Sequence, residues 1–262
     1  MQLWFQNQVK AQLCGVLQGS TLRAKKGIVF LPGLGQTKAG PYFLFTQIAR
    51  KFENHLPTFQ FDYMGTGDSE GDLENCSFGS FIKDSIFATN YFIEQTKIEK
   101  VTFVCSGIGN YLASILINYF PNSELILLAP NYKKYNIKDF KIIRDSLINT
   151  ASLSDWSKEN YLIHDFFQRM GSGLNRNKGI YLQRTFIEEL IDFNIKKQMN
   201  MNIEDLLEFS TKESEGNLTE INGCELVELR KSNYNSFHPL EVEKIIENIF
   251  EWVIDKNTGK SI

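Results

Sequence analysis

The chain has 262 residues, of which 42% are hydrophobic and 23% charged, with a formal net charge of −3 at pH 7. That balance excludes intrinsic disorder and suits one large packed α/β domain or two small ones. The slightly acidic total gives no electrostatic case for nucleic acid or a strongly anionic membrane as partner. No apolar run approaches the ~20 residues of a membrane-spanning helix. The first ten residues lack the basic-then-apolar pattern of a secretory signal. Cys14, Cys76, Cys105 and Cys224 lie far apart with no CxxC pair, and they read as free thiols of a reducing cytoplasm. His55, His164 and His238 are equally scattered, so no metal site is expected, and nothing in the sequence implies a cofactor.

Taken in order, Leu3 to Phe5 and Ala11 to Leu17 read as two strands of an entry hairpin. Ile28 to Leu31 is a short apolar strand, followed by the glycine loop Pro32-Gly33-Leu34-Gly35-Gln36. Tyr42 to Phe52 has a helical pattern, with Phe43, Phe45, Ile48, Ala49 and Phe52 able to share a face. Thr58 to Tyr63 is the next strand, and Met64 to Gly71 is a loop rich in turn residues. Phe78 to Thr96 is helical. Val101 to Val104 is a β-branched and aromatic run suited to a strand covered on both faces. It breaks at Cys105-Ser106-Gly107-Ile108-Gly109 into a helix reaching Phe120, and Glu124 to Pro130 is another buried strand.

From Asn131 to about Asp205 the strand rhythm stops. Phe140–Ile148, Trp156–Met170 and Phe186–Phe193 look helical, while Gly171–Gly173 and Asn175–Gly179 look like loops. Asp205–Ser210 and Cys224–Leu229 then read as strands. Pro239 opens a last helix with Val242, Ile245, Ile246, Ile249, Phe250 and Val253 on one face. Strands alternating with helices mean βαβ units and a mostly parallel sheet covered on both faces. Its ligands sit beyond the C-terminal strand ends, where the loops at Gly33, Gly65 and Gly107 gather. The expected division is a core of residues 1–130 and 206–262, with a helical cap or lid over 131–205.

These pieces resemble the α/β-hydrolase superfamily across nearly the whole length. The opening hairpin, the strand and loop from Val29 to Gly33, and the strand-to-helix turn at Gly107 each carry part of the likeness. The most specific match is Asp62-Tyr63-Met64-Gly65-Thr66-Gly67-Asp68-Ser69, similar to a D-Y-x-G-x-G-x-S signature in which Asp62, Gly65, Gly67 and Ser69 fall in place. Among subgroups, the chain looks like the serine aminopeptidase-like hydrolases, including the exosortase A system-associated ones. By that resemblance the Leu34 and Ile108 amides are the oxyanion donors.

The nucleophile elbow of this superfamily is G-x-S-x-G. With Gly109 as its last glycine, Cys105 stands at the first and Gly107 at the nucleophile position. Ser106 is one residue early. Acyl transfer needs a nucleophile on the elbow, a histidine to activate it and an acid to orient the histidine. Ser106 or Cys105 serves only in a shifted register. His238 lies in the loop before the last helix, where the family carries its histidine, although Asn235 takes the more usual spacing. Glu213, with Glu215 beside it, is the local candidate for the acid. The expectation is a degenerate hydrolase that binds an acyl or ester-type small ligand, or acts as an accessory to a partner protein in a biosynthetic pathway. The alternative is an active esterase, thioesterase or acyltransferase using Ser106 or Cys105 with His238.

Overall fold

The computed structural model describes residues 1–19, 24–132, 175–177, 180–182, 184–191, 193, 205–212, 214, 224–232 and 237–258. Its strands are β1 (Gln2–Gln6), β2 (Gln12–Gln18), β3 (Lys26–Leu31), β4 (Thr58–Phe61), β5 (Lys100–Ser106), β6 (Glu124–Leu128), β7 (Asn175–Asn177), β8 (Ile180–Leu182), β9 (Leu206–Thr211) and β10 (Cys224–Leu229). All but β7 and β8 belong to one eight-stranded sheet, in the spatial order β1-β2-β4-β3-β5-β6-β9-β10. The β1–β2 and β2–β4 pairs are antiparallel, and every other pair in that sheet is parallel. The difference in strand chemistry follows this order. Every residue of β3, β4 and β6 is buried, as parallel strands covered on both faces require. β1 alternates buried and exposed because it lies at the edge.

Among the described residues, five helices flank the sheet: α1 (Leu44–Phe52), α2 (Phe78–Thr96), α3 (Ile108–Leu116), α4 (Arg184–Ile191) and α5 (Pro239–Thr258). Strand side chains alternate between two clusters. Val29, Leu31, Phe103, Cys105, Leu125 and Leu127 face α2, α3 and α4. Ile28, Phe30, Val104, Ile126 and Leu128 face α1 and α5. Ser77 caps α2 by accepting from the Ser80 amide, while the Ser80 hydroxyl accepts from the Ser77 amide. This box fixes where α2 begins and therefore how it lies across the sheet.

The strand starts are tied by charge. Lys26, Lys100 and Glu124 open β3, β5 and β6, and Asp205 directly precedes β9. The Lys26 ammonium donates to both Glu124 oxygens, at 3.0 and 2.9 Å, and Thr102 donates to the same carboxylate at 2.7 Å. Lys100 bridges Glu124 and Asp205. This network sits at the opposite end of the strands from the glycine loops.

Two local differences from the sequence expectation stand out. The helix expected from Tyr42 begins at Leu44. Tyr42 and Phe43 take left-handed φ values of 50° and 61° in a short 3-10 turn started by Pro41. Asn175–Gly179, expected as loop, contains β7, which pairs antiparallel with β8. The expected helix at Phe186–Phe193 is present as α4, starting two residues earlier. The expected helices at Phe140–Ile148 and Trp156–Met170, and the Gly171–Gly173 loop, lie outside the described residues, as does His164.

Candidate functional site

β3 and β5 are neighbours, with Leu31 level with Cys105, so the loops that follow them emerge side by side. β5 ends at Ser106. Gly107 then takes φ 52° and ψ −123°, and α3 starts at Ile108. This is the sharp strand-to-helix turn that the motif implied, and Gly107 is its apex. A backbone conformation of this kind costs an ordinary residue about 1–3 kcal/mol, which glycine escapes. A Cβ built at Gly107 would meet one atom within 4 Å, the Gly33 Cα at 3.2 Å. The apex is therefore exposed and without a side chain, and a Cβ there would press on the Gly33 backbone. Gly109 is glycine for a different reason. A Cβ there would overlap the Leu31 carbonyl oxygen, so the helix can approach β3 only without one.

Ser106 lies beneath the apex and is 2% exposed. Its hydroxyl donates to Gln36 Oε1 at 2.8 Å, and the Gly33 amide donates to the same oxygen at 2.8 Å. The Gln36 side chain thus folds back into its own loop and ties that loop to the end of β5. Sequence reasoning missed Gln36. A carboxamide three residues after a glycine is a weak signal, and only the register of β3 on β5 brings it to Ser106. Cys105 is fully buried in the core behind the turn, and burial pushes its thiol well above the ordinary range. A thiol there is a packing group with little thiolate character. The Leu34 and Ile108 amides, expected as oxyanion donors, flank Gly33 and Gly107 and donate to no partner among the described residues.

The loop after β3 is braced by the signature residues. Asp62 is fully buried. It accepts from the Lys38 amide and ammonium, at 2.6 Å each, and from the Asp68 amide at 3.1 Å. Lys38 also reaches Asp68. Ser69 donates to the Asp62 carbonyl at 2.7 Å and accepts from the Cys14 amide at 2.9 Å, stitching the loop to the hairpin. Gly67, with φ 54°, passes against the Asp62 carboxylate, and Gly65, with φ 74°, passes against the Leu73 amide. Each signature residue thus has a bracing or close-packing task. Cys14, Asp62 and Asp68 bring possible metal-binding atoms within 4.8 Å of one another, but the Lys38 ammonium already supplies the positive charge there.

His238 lies between β10 and α5, and it works locally. Its Nδ1 accepts from the Leu240 amide at 3.3 Å, and its own amide donates to Ser232 Oγ at 2.9 Å. Ser232 in turn donates to Glu241 at 2.6 Å, and the Arg230 and Lys231 amides donate to the same carboxylate. These donors outweigh the effect of burial and hold Glu241 below its usual range. The ring caps the start of α5, and no hydrogen bond joins it to Ser106 or Cys105. Glu213, Glu215 and Asn235 lie outside the described residues. A second carboxylate escaped notice in the sequence. Glu208, fully buried in β9, accepts from the Tyr132 hydroxyl at 2.7 Å. Burial first, and then Glu208, push that phenol far above its ordinary range. Its signal was a lone acid amid Leu206, Leu207 and Phe209.

No family model and no curated protein sequence matches the chain. Solved structures do. Est1E from Butyrivibrio proteoclasticus, described with ferulic acid bound, matches with a TM-score of 0.68 at 13% identity, covering 96% of this chain and 99% of that one. An esterase from Exiguobacterium antarcticum matches with a TM-score of 0.66 at 19% identity, covering 97% and 99%. DcsB, described in complex with its substrate analogue, matches with a TM-score of 0.68 at 13% identity, covering 97% and 99%. At such identities the likeness speaks for architecture, and with the strand order and the turn at Gly107 it shows that this chain has the α/β-hydrolase fold.

Proposed function

We propose that this chain is a degenerate hydrolase: it keeps the ligand cleft of its fold, binds an acyl or ester-type small molecule there, and does not turn it over. The observation that carries the reading is Gly107 at the apex, with φ 52°, ψ −123° and no side chain. On serine hydrolases, loss of the nucleophile costs about a millionfold in turnover, and the remaining binding and oxyanion contacts leave ~10³–10⁴ over water. The neighbouring groups do not fill the gap. Ser106 is held under the turn by Gln36, Cys105 is buried, and the His238 ring caps its own helix. The Leu34 and Ile108 amides, which donate to no described residue, are then donors for a ligand carbonyl or carboxylate. Residues 131–205 form the lid over that ligand, on a core of 1–130 and 206–262. In this reading the chain serves a biosynthetic pathway as a carrier of, or accessory to, its acyl intermediate.

The test combines labelling with binding. The protein is incubated with a fluorophosphonate and separately with iodoacetamide, and adducts are mapped. Its melting temperature is then followed against ferulic acid and short-chain acyl esters. The expected result is no adduct at Ser106 or Cys105 and a rise in melting temperature with at least one acyl compound, since a ligand bound only to the folded state stabilises it. An adduct at Ser106 with ester hydrolysis abolished by Ser106→Ala would establish an active esterase instead. Neither label nor stabilisation would leave a scaffold with an empty cleft.

A further inference from the structure

Two loops meet at the apex, and their hydrogen-bonding groups are used unevenly. The carbonyls beside it are engaged by the chain itself. The Pro32 carbonyl accepts from the Tyr63 hydroxyl at 3.3 Å, the Gly33 carbonyl from the Gln36 amide at 3.0 Å, and the Gly107 carbonyl from the Asn110 amide at 3.2 Å. Several donors are left over. The Leu34 and Ile108 amides donate to no described residue. The Gln36 carboxamide adds another donor. Its Oε1 accepts from the Ser106 hydroxyl and from the Gly33 amide, at 2.8 Å each. A backbone N–H can only donate, so this oxygen cannot change places with Nε2. The –NH2 group of this half-buried side chain is thereby turned away from both donors, and it too donates to no described residue. The carboxamide lies against Gly33, where a Cβ would come within 2.9 to 3.0 Å of its Cδ, Nε2 and Oε1. The Gly33 Cα is also the atom that a Cβ at the apex would meet.

The charges around these donors point the same way. Neither residues 32–36 nor residues 104–111 include an acid. Asp62, which braces the first loop, is buried and paired with Lys38. α3 starts at Ile108, and the amide end of a helix favours negative charge. A surface rich in donors, with no negative charge of its own, suits a group that carries two acceptor oxygens and a negative charge. We propose that the group held at the apex is a carboxylate, so that the ligand is a free acid anion and not its ester, and that Gln36 makes this choice by touching it. The inference rests on the reading of the chain as a binder that does not turn its acyl ligand over. One carboxylate oxygen takes the Leu34 and Ile108 amides, and the other takes Gln36 Nε2. An ester satisfies the first position only. Its alkoxy oxygen is a weak acceptor, and the alkyl group on it covers the –NH2 and leaves that donor without a partner.

Matched acids and esters test this. Ferulate and octanoate, and their methyl esters, are titrated calorimetrically into the full chain at pH 7. Whichever acyl group fits, its acid is expected to bind roughly tenfold tighter than its methyl ester, since hydrogen bonds to a charged group are the stronger ones. Gln36→Glu keeps an oxygen for the Ser106 hydroxyl and the Gly33 amide, and replaces the –NH2 by a second, negatively charged oxygen. It is expected to weaken the acid roughly a hundredfold by facing it with a like charge, to leave the ester nearly unchanged, and so to reverse the preference. A Gln36 that only braces its loop would leave the ratio of acid to ester affinity unmoved in this variant, and that result overturns the proposal. A wild type that binds the ester as tightly as the acid overturns it without any variant, while the acyl-binding reading stands. If no acid or ester binds, or if an ester is hydrolysed, that reading falls and the proposal falls with it.

Discussion

At the residue scale, two glycines of one turn do opposite jobs, and substitution separates them. Gly107 needs its positive φ and would meet one close contact, since a new Cβ would lie 3.2 Å from the Gly33 Cα, a few tenths of an ångström inside ordinary packing distance. Gly109 has an ordinary helical backbone but no space, because the Leu31 carbonyl lies where its Cβ would go. Gly107→Ser is expected to cost about 1–3 kcal/mol, the usual penalty for an L-residue held in a sparsely populated backbone region. Gly109→Ala is expected to cost about 3 kcal/mol, the top of the usual range for overpacking. Urea denaturation of the two variants checks the ranking. The serine introduced by Gly107→Ser is also expected to stay unreactive towards the fluorophosphonate, because the His238 Nδ1 is engaged with the Leu240 amide and the other described histidine, His55, precedes the start of β4, at the opposite end of the strand from the glycine loops. His55 packs edge-on against Phe250. Phosphonylation of the introduced hydroxyl would show an imidazole within reach after all. The sequence made Gly107 readable as the apex, because the motif spacing leaves it no other role. It could not show that Gln36 clasps Ser106, because that contact joins distant segments through strand register.

At the element scale, the strands were legible wherever burial on both faces forced an uninterrupted apolar run, as in Ile28–Leu31 and Glu124–Leu128. Cys224–Leu229 is legible by alternation, with the observed bounds. β7 is not, since Asn175–Asn177 offers no β-branched or aromatic residue and its pairing with β8 is local. The charged strand starts were also silent. Lys26, Lys100 and Glu124 read as ordinary polar ends, yet Lys26 is 5% and Glu124 1% exposed. Burial opposes the charge on Glu124, but Lys26, Thr102 and Lys100 outweigh it and hold the carboxyl below its ordinary range. A carboxyl depressed in the folded state stabilises above its unfolded pKa, here 4.5, and that stability is lost as pH falls through the lower folded value. Glu124→Gln is therefore expected to cost about 3–5 kcal/mol at pH 7, since it strands a buried ammonium. It is also expected to flatten the fall in stability below pH 4.5. Chemical denaturation of both proteins at neutral pH and again below that value reads both effects. An equal acid sensitivity in the variant would place the responsible group elsewhere.

At the scale of the whole molecule, one sheet serves two cores. Neighbouring residues of each central strand belong to opposite clusters: Val29 and Phe103 to one, Ile28 and Val104 to the other. Neither helical layer has a sheet of its own, so neither core can be lost while the other stays intact. The alternation of strands and helices made this architecture legible from the sequence. The site was less so, because it depends on three loops braced by Lys38 and Asp62 and on a cap at His238, all but the last contacts between distant segments. The shared sheet has a measurable consequence. Phe81→Ala empties a position under α2, and Ile249→Ala empties one under α5; both side chains are fully buried. Each is expected to cost about 2–5 kcal/mol. If the cores depend on each other, both variants must lower one common transition. Tryptophan fluorescence then reports the same midpoint as far-ultraviolet circular dichroism, with Trp4 beside the α2 layer and Trp252 in α5. Two separated transitions, with Ile249→Ala shifting one alone, would mean that the α5 layer unfolds independently of the sheet it covers.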